Sequence, residues 1–202
     1  MKKLMLTAVA VITFAFSNAQ ETRAGIKGGI NIATLTGDAE GATSRVGFQA
    51  GGLLEIKITD RFAIQPELLF STQGVHTEIV KPDNEYKIEK RINLMYLNIP
   101  ITARFYVVDK FSIEAGPQIG FLARARATSE ITSYGNRVSG EEDLKRYLRA
   151  ADLGVNFGAG YDFTEDLSIG IRYNIGCSNL GENMRNYEMY NRVLSVSAGY
   201  KF

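Results

Sequence analysis

One histidine, one cysteine and five charged residues set in the middle of alternating segments are the side chains from which this 202-residue chain could build chemistry. His76 lies in "STQGVHTEIV", with Ser71 and Glu78 nearby. A general base needs hydrogen-bond reach to its nucleophile. Nothing in this spacing supplies it, and no G-x-S-x-G elbow occurs. Cys177 is remote from His76, so the two offer no metal-ligand spacing. Cys177 reads instead as a small apolar residue at a segment end. No catalytic residue, metal or cofactor is expected.

The charged residues are Glu55, Glu67, Arg104, Glu114 and Arg172. Each falls mid-segment on a polar face, where a closed sheet would turn it inward toward the others. What must position them is a set of strands. Eight segments alternate with a period of two: Ala24–Ala33, Arg45–Ile58, Arg61–Ser71, Ile92–Val107, Phe111–Arg124, Ala151–Phe163, Leu167–Cys177 and Arg192–Phe202. Many exceed the roughly five or six residues usual in globular sheets. They suit membrane strands of about nine to eleven residues.

The connections alternate in length. "TD", "DK" with Val108, and "TED" are tight turns. Thr34–Ser44, Thr72–Arg91, Ala125–Ala150 and Ser178–Asn191 are long. Short turns at one end and long loops at the other are the pattern of an outer-membrane barrel, with turns periplasmic and loops extracellular. The start of the chain agrees. Lys2 and Lys3 precede an apolar run from Leu4 to Phe16, then Ser17 and Ala19 at the −3 and −1 positions of a cleavage site. This predicts a secretory signal peptide at 1–19 and a mature barrel at 20–202. The balanced charge of +1 carries no nucleic-acid footprint.

One face of each segment is apolar: Val46, Phe48, Leu54 and Ile56 in the second, Leu153, Val155 and Phe157 in the sixth, Ile169, Ile171 and Tyr173 in the seventh. The other holds charges and amides, Arg124 among them, spaced by glycines such as Gly116, Gly158 and Gly160. A soluble lipocalin-like barrel would put the apolar face inside. A membrane barrel reverses it. An eight-stranded interior is only wide enough for side chains to fill, and small residues beside Arg104 and Arg172 suit that narrow interior, so the membrane closure is favoured. Tyr106, Phe111, Tyr161, Phe163, Tyr200 and Phe202 are expected at the interfacial girdle.

Three prolines lie inside strands. Pro100 shares the polar face with Asn98 and Thr102, so a lumenal group, a water or a bulge is expected to compensate its missing donor. Pro66 and Pro117 fall on apolar faces, where no such compensation is legible. "SGEEDLKRYLRA", residues 139–150, carries a capping box from Ser139 to Glu142 and predicts a short helix in the third long loop. Its surface is either a solvated face or a recognition surface for a partner or lipopolysaccharide.

"GIKGGINIATL", "IQPELLFSTQG", "YLNIPI", "IEAGPQIGFLA", "VNFGAGYDF" and "IRYNIGCSNL", in that order, resemble the PorT-like outer-membrane β-barrel family over nearly all of the mature chain. The resemblance implies an all-β, eight-stranded, antiparallel up-and-down barrel in the outer membrane of a Gram-negative cell, and little about activity. One namesake is an accessory of type IX secretion, a role not carried over. The terminal Phe202, with Tyr200 and Ala198 at alternate positions, matches the aromatic C-terminus read by the barrel-assembly machinery, and also a plain outward residue.

These features predict a structural or binding protein acting through its extracellular loops. The expected partners are outer-membrane lipid, lipopolysaccharide, the assembly machinery and an unidentified extracellular or periplasmic protein. A narrow pore, a secretion accessory and an outer-membrane enzyme are the alternatives.

Overall fold

The computed structural model describes residues 21–38, 43–80, 86–133, 136–181 and 188–202; the expected signal peptide lies outside them. Nine strands occur among these: β1 (Glu21–Gly37), β2 (Thr43–Thr59), β3 (Phe62–Val80), β4 (Tyr86–Val108), β5 (Phe111–Ser133), β6 (Asn136–Asp143), β7 (Ala151–Asp162), β8 (Leu167–Gly176) and β9 (Met189–Lys201). All strands but β6 close a ring in the order β1-β2-β3-β4-β5-β7-β8-β9, with β9 returning to β1. Every pairing is antiparallel. The fold is the expected eight-stranded up-and-down barrel.

The alternation has the expected sense. Ile30, Phe48, Leu68, Ile101, Leu153, Phe157, Ile171 and Val196 lie exposed on the outer wall. Asn31, Glu55, Glu67, Thr102, Arg104, Asn156 and Arg172 are buried in the lumen. A polar interior with an apolar exterior is the inverse of a soluble ligand carrier and matches a barrel solvated by lipid.

Several expectations are corrected. The second and third long connections are largely strand. β3 and β4 stay paired out to Val80↔Lys87, and β4 and β5 out to Tyr86↔Ser133. At 23 residues, β4 and β5 are each about 75 Å long at ~3.3 Å per residue, far beyond a bilayer's need. Their outer halves stand clear of the membrane.

The helix expected at 139–150 is absent. Ser139 to Asp143 belong to β6, with Ser139 opposite Glu130. What remains is a single turn closed by Leu148 N–H donating to Leu144 O at 3.2 Å. A helix this short is marginal on its own, and the open edge of β5 offers a full ladder instead.

The prolines interrupt hydrogen bonding without shifting register. The β2–β3 ladder breaks between Leu53↔Glu67 and Ile56↔Ile64, beside Pro66. The β3–β4 ladder breaks between Pro66↔Ile101 and Leu69↔Asn98, beside Pro100. The β4–β5 ladder breaks between Pro100↔Gln118 and Ala103↔Ala115, beside Pro117. No bulge forms at Pro100. Each proline removes a donor toward one neighbour and keeps its other ladder.

A bulge does occur higher on β5. Met95 pairs with Arg124 and Tyr96 with Leu122, leaving Ala123 as the extra residue. The bulge reverses the facing of the strand beyond it, so Arg124 is exposed on the outside rather than lumenal. Tyr106 is corrected in the opposite sense: it is buried in the lumen, not in the girdle. Phe111, Tyr161, Phe163, Tyr200 and Phe202 are exposed near strand ends, with edge-to-face pairs at Tyr161–Phe163 and Tyr200–Phe202. Cys177 lies one residue beyond β8 and is exposed.

Candidate functional site

Inward positions on the eight wall strands bring one charge from each strand into a single lattice. Lys27 comes from β1, Glu55 from β2, Glu67 from β3, Arg104 from β4, Glu114 from β5, Asp162 from β7, Arg172 from β8 and Lys201 from β9.

Glu67 is the most heavily bonded acid. Arg172 donates to it twice, Nη1 to Oε2 and Nη2 to Oε1, both at 2.8 Å. Lys27 Nζ adds a bond at 3.0 Å and Gln65 Nε2 one at 2.5 Å. Arg172 Nε donates in turn to Glu114 Oε1 at 2.6 Å. Glu55 gathers the second group. Arg104 Nη1 reaches its Oε2 at 2.8 Å, Tyr106 OH the same oxygen at 3.0 Å, and Lys201 Nζ its Oε1 at 2.9 Å. Arg104 also donates to Gln65 Oε1 and Ser112 Oγ, each at 2.9 Å. Its Nε stands 4.0 Å from Glu114 Oε2, which links the two groups.

Glycines make the room. A Cβ on Gly160 would lie 2.7 Å from Arg104 Nη2, and one on Gly158 would lie 2.9 Å from Glu114 Oε1. The space left between Lys27, Arg104, Glu114 and Lys201 is a cavity of about 20 Å³, room for about one water.

The lattice has a vestibule on one side and a lid on the other. At the end of the short turns an open cavity of about 740 Å³ is lined by Arg23, Lys57, Asp60, Asp109, Lys110 and Glu165, among others. Above the lattice lies a layer of amides. Asn31 and Gln73 both donate to Ser71 Oγ, at 2.9 and 3.0 Å, and Asn191 donates to Gln73. On the facing wall Asn174 donates to Asn156 at 2.9 Å and Asn156 to Gln118 at 3.2 Å. Higher still, Leu35, Leu94, Tyr96, Leu122, Leu144, Leu148 and Leu180 form an apolar cluster that caps the lumen.

All five charged residues singled out from the sequence meet in this lattice. Lys27, Lys201 and Asp162 share the inward face by the same period-two logic and complete it. Tyr106 eludes sequence reasoning because an aromatic near a strand end looks interfacial. Strand parity could not reveal the whole apolar cap, since Leu144, Leu148 and Leu180 lie outside any strand. Ser71 Oγ is engaged by Asn31 and Gln73, and His76 sits in the β3 ladder opposite Thr43 and Arg91. The side chain of Glu78 lies outside the described residues. Among the described residues no group of three or more His, Cys, Asp or Glu is placed to hold a metal.

A family model described as the outer membrane protein beta-barrel domain matches residues 17–181. The chain belongs to this family. As a member it is an outer-membrane protein with the lattice at its centre. Among solved structures it is similar to Neisserial surface protein A, at 13% identity and a TM-score of 0.51, covering 91% of this chain and 100% of that one. It is also similar to Ail, the attachment invasion locus protein of Yersinia pestis, at 12% identity and a TM-score of 0.49, with 91% and 100% covered. The N-terminal barrel domain of Pseudomonas aeruginosa OprF gives 15% identity and a TM-score of 0.37, with 90% and 100% covered. No curated protein matches the chain.

Proposed function

We propose that this protein is a closed outer-membrane barrel of the PorT-like kind, whose work is binding at its extracellular end. One observation carries the reading: Arg172 on β8 and Glu67 on β3 are bonded across the ring, at opposite walls of the lumen, by two hydrogen bonds of 2.8 Å. A bidentate pair spanning the lumen, with Lys27 and Glu114 bonded to the same two side chains, supports a filled interior. With the lumen filled, the surfaces left for function are the protruding β3–β6 sheet and the rim beneath it. Lipid and lipopolysaccharide are the partners of the wall and rim, and a protein partner that of the sheet. Phe202 serves in assembly. Residues 1–19 act as the leader that exports the chain. No secretion role and no catalysis are part of this reading.

The test has two arms. The purified barrel in planar bilayers gives no steady conductance. A photo-crosslinker placed at Val138, exposed on β6, captures a defined partner from intact cells. Steady ion-sized conductance of the wild type would replace this reading with the narrow pore.

A further inference from the structure

The outer wall carries a basic cluster that the lumenal lattice does not use. Its origin is the bulge at Ala123, which turns Arg124 out of the lumen. The turn after β6 is pinned beside it. Lys145 Nζ donates to Ala123 O at 3.0 Å, and Leu144 N–H to Ala125 O at 3.1 Å. Leu144 and Leu148 point into the apolar cap, so the residues between them face away. Lys145, Arg146 and Tyr147 are exposed. Leu122 N–H to Ala150 O then returns the chain to the wall between β5 and β7.

Just below this rim the surface is purely apolar: Leu97, Phe121 and Leu153 are exposed on β4, β5 and β7. The cluster therefore stands where the hydrocarbon face ends. Arg126, next outward on β5, is bridged to Glu141 at 2.9 Å. Among the described residues the side chains of Arg124, Lys145 and Arg146 form no ion pair; the one carboxylate bonded to the turn, Asp143 Oδ1, accepts from the Lys145 backbone N–H at 2.8 Å. Lys145 keeps two N–H donors after its bond to Ala123, and each guanidinium keeps its planar fork.

We infer that Arg124, Lys145 and Arg146 form a site for the phosphate of an anionic lipid headgroup in the outer leaflet, with Tyr147 packed at the same interface. The site rests on the membrane reading above and gives its lipid partner a location. Three cations held at the apolar boundary meet a phosphate at the depth where headgroups lie. An arginine fork binds two phosphate oxygens at once. The two leucines anchor the turn that carries Lys145 and Arg146, and the Lys145 bond to Ala123 O holds that turn against the strand of Arg124.

Native mass spectrometry of the folded barrel with added lipid A tests this. The wild type retains one bis-phosphorylated lipid A. The triple variant Arg124→Gln, Lys145→Gln, Arg146→Gln binds it roughly a hundredfold more weakly. A control pair at the periplasmic turns, Arg61→Gln with Lys110→Gln, binds as the wild type does. Heat-modifiable migration on gels verifies that each variant is folded. Equal retention by the triple variant overturns the inference. So does equal retention of dephosphorylated lipid A by the wild type, which would reduce the contact to acyl chains. Conductance and crosslinking at Val138 are read separately, so loss of this site leaves the closed-barrel reading standing, and the converse holds.

Discussion

Arg172 and Glu67 lie on opposite walls of the ring and are joined by two parallel hydrogen bonds, Nη1 to Oε2 and Nη2 to Oε1, at 2.8 Å each. The Glu67 side chain has no solvent exposure and that of Arg172 has 6%. A charge pair this dehydrated is not a gain over apolar packing, but breaking it on one side strands the other charge.

Removing one partner is therefore the informative change. Arg172→Ala should lower unfolding stability by about 3–5 kcal/mol, read as a shift in urea midpoint for the barrel refolded in lipid vesicles. Replacing both members with Gln and Met should be far milder. A single variant as stable as the wild type would mean that Lys27, 3.0 Å from Glu67 Oε1, neutralises the carboxylate unaided.

The outer wall predicts a depth dependence. Val196 pairs with Ile30 and Ile171 away from the turns, whereas Ile169 sits two residues into β8 beside Tyr161. Val196→Arg should cost about 2–4 kcal/mol, and Ile169→Arg about 0–1 kcal/mol if it lies at the interface. Equal costs, measured by the same unfolding assay, would contradict this placement in the bilayer.

Arg104 ties the two halves of the lattice, with bonds to Glu55, Gln65 and Ser112. Arg104→Ala should destabilise the barrel by about 3–5 kcal/mol. It should also introduce brief channel openings in planar bilayers, where the wild type shows none. A silent and stable variant would mean that the remaining lattice closes the lumen unaided.

Phe202 separates two roles by where the defect shows. Its backbone N–H still donates to Ala24 O at 2.8 Å whatever its side chain. Phe202→Ala should leave the stability of barrel refolded in vitro within about 1 kcal/mol, as surface changes usually do, while lowering the amount of folded barrel recovered from outer membranes. An equal loss in both assays would make Phe202 an ordinary wall residue.

The period-two pattern determined that the chain forms eight wall strands and that Glu55, Glu67, Arg104, Glu114 and Arg172 share the face opposite the apolar one; it left two closures open, and the narrow eight-stranded interior favoured turning that face inward. Strand and face are local: each strand residue's side is decided by its parity with its neighbours. Which acid meets which base is not local. Arg172 bonds Glu67, 105 residues away, because the closed ring staggers its strands by a set shear. Tertiary structure also decided the exceptions to parity. One extra residue at Ala123 moved Arg124 from lumen to rim. The free edge of β5 drew residues 139–143 into a strand despite a sound capping box. The apolar cap exists because Leu144, Leu148 and Leu180, in no strand, are brought over the open end of a lumen that only the closed barrel creates.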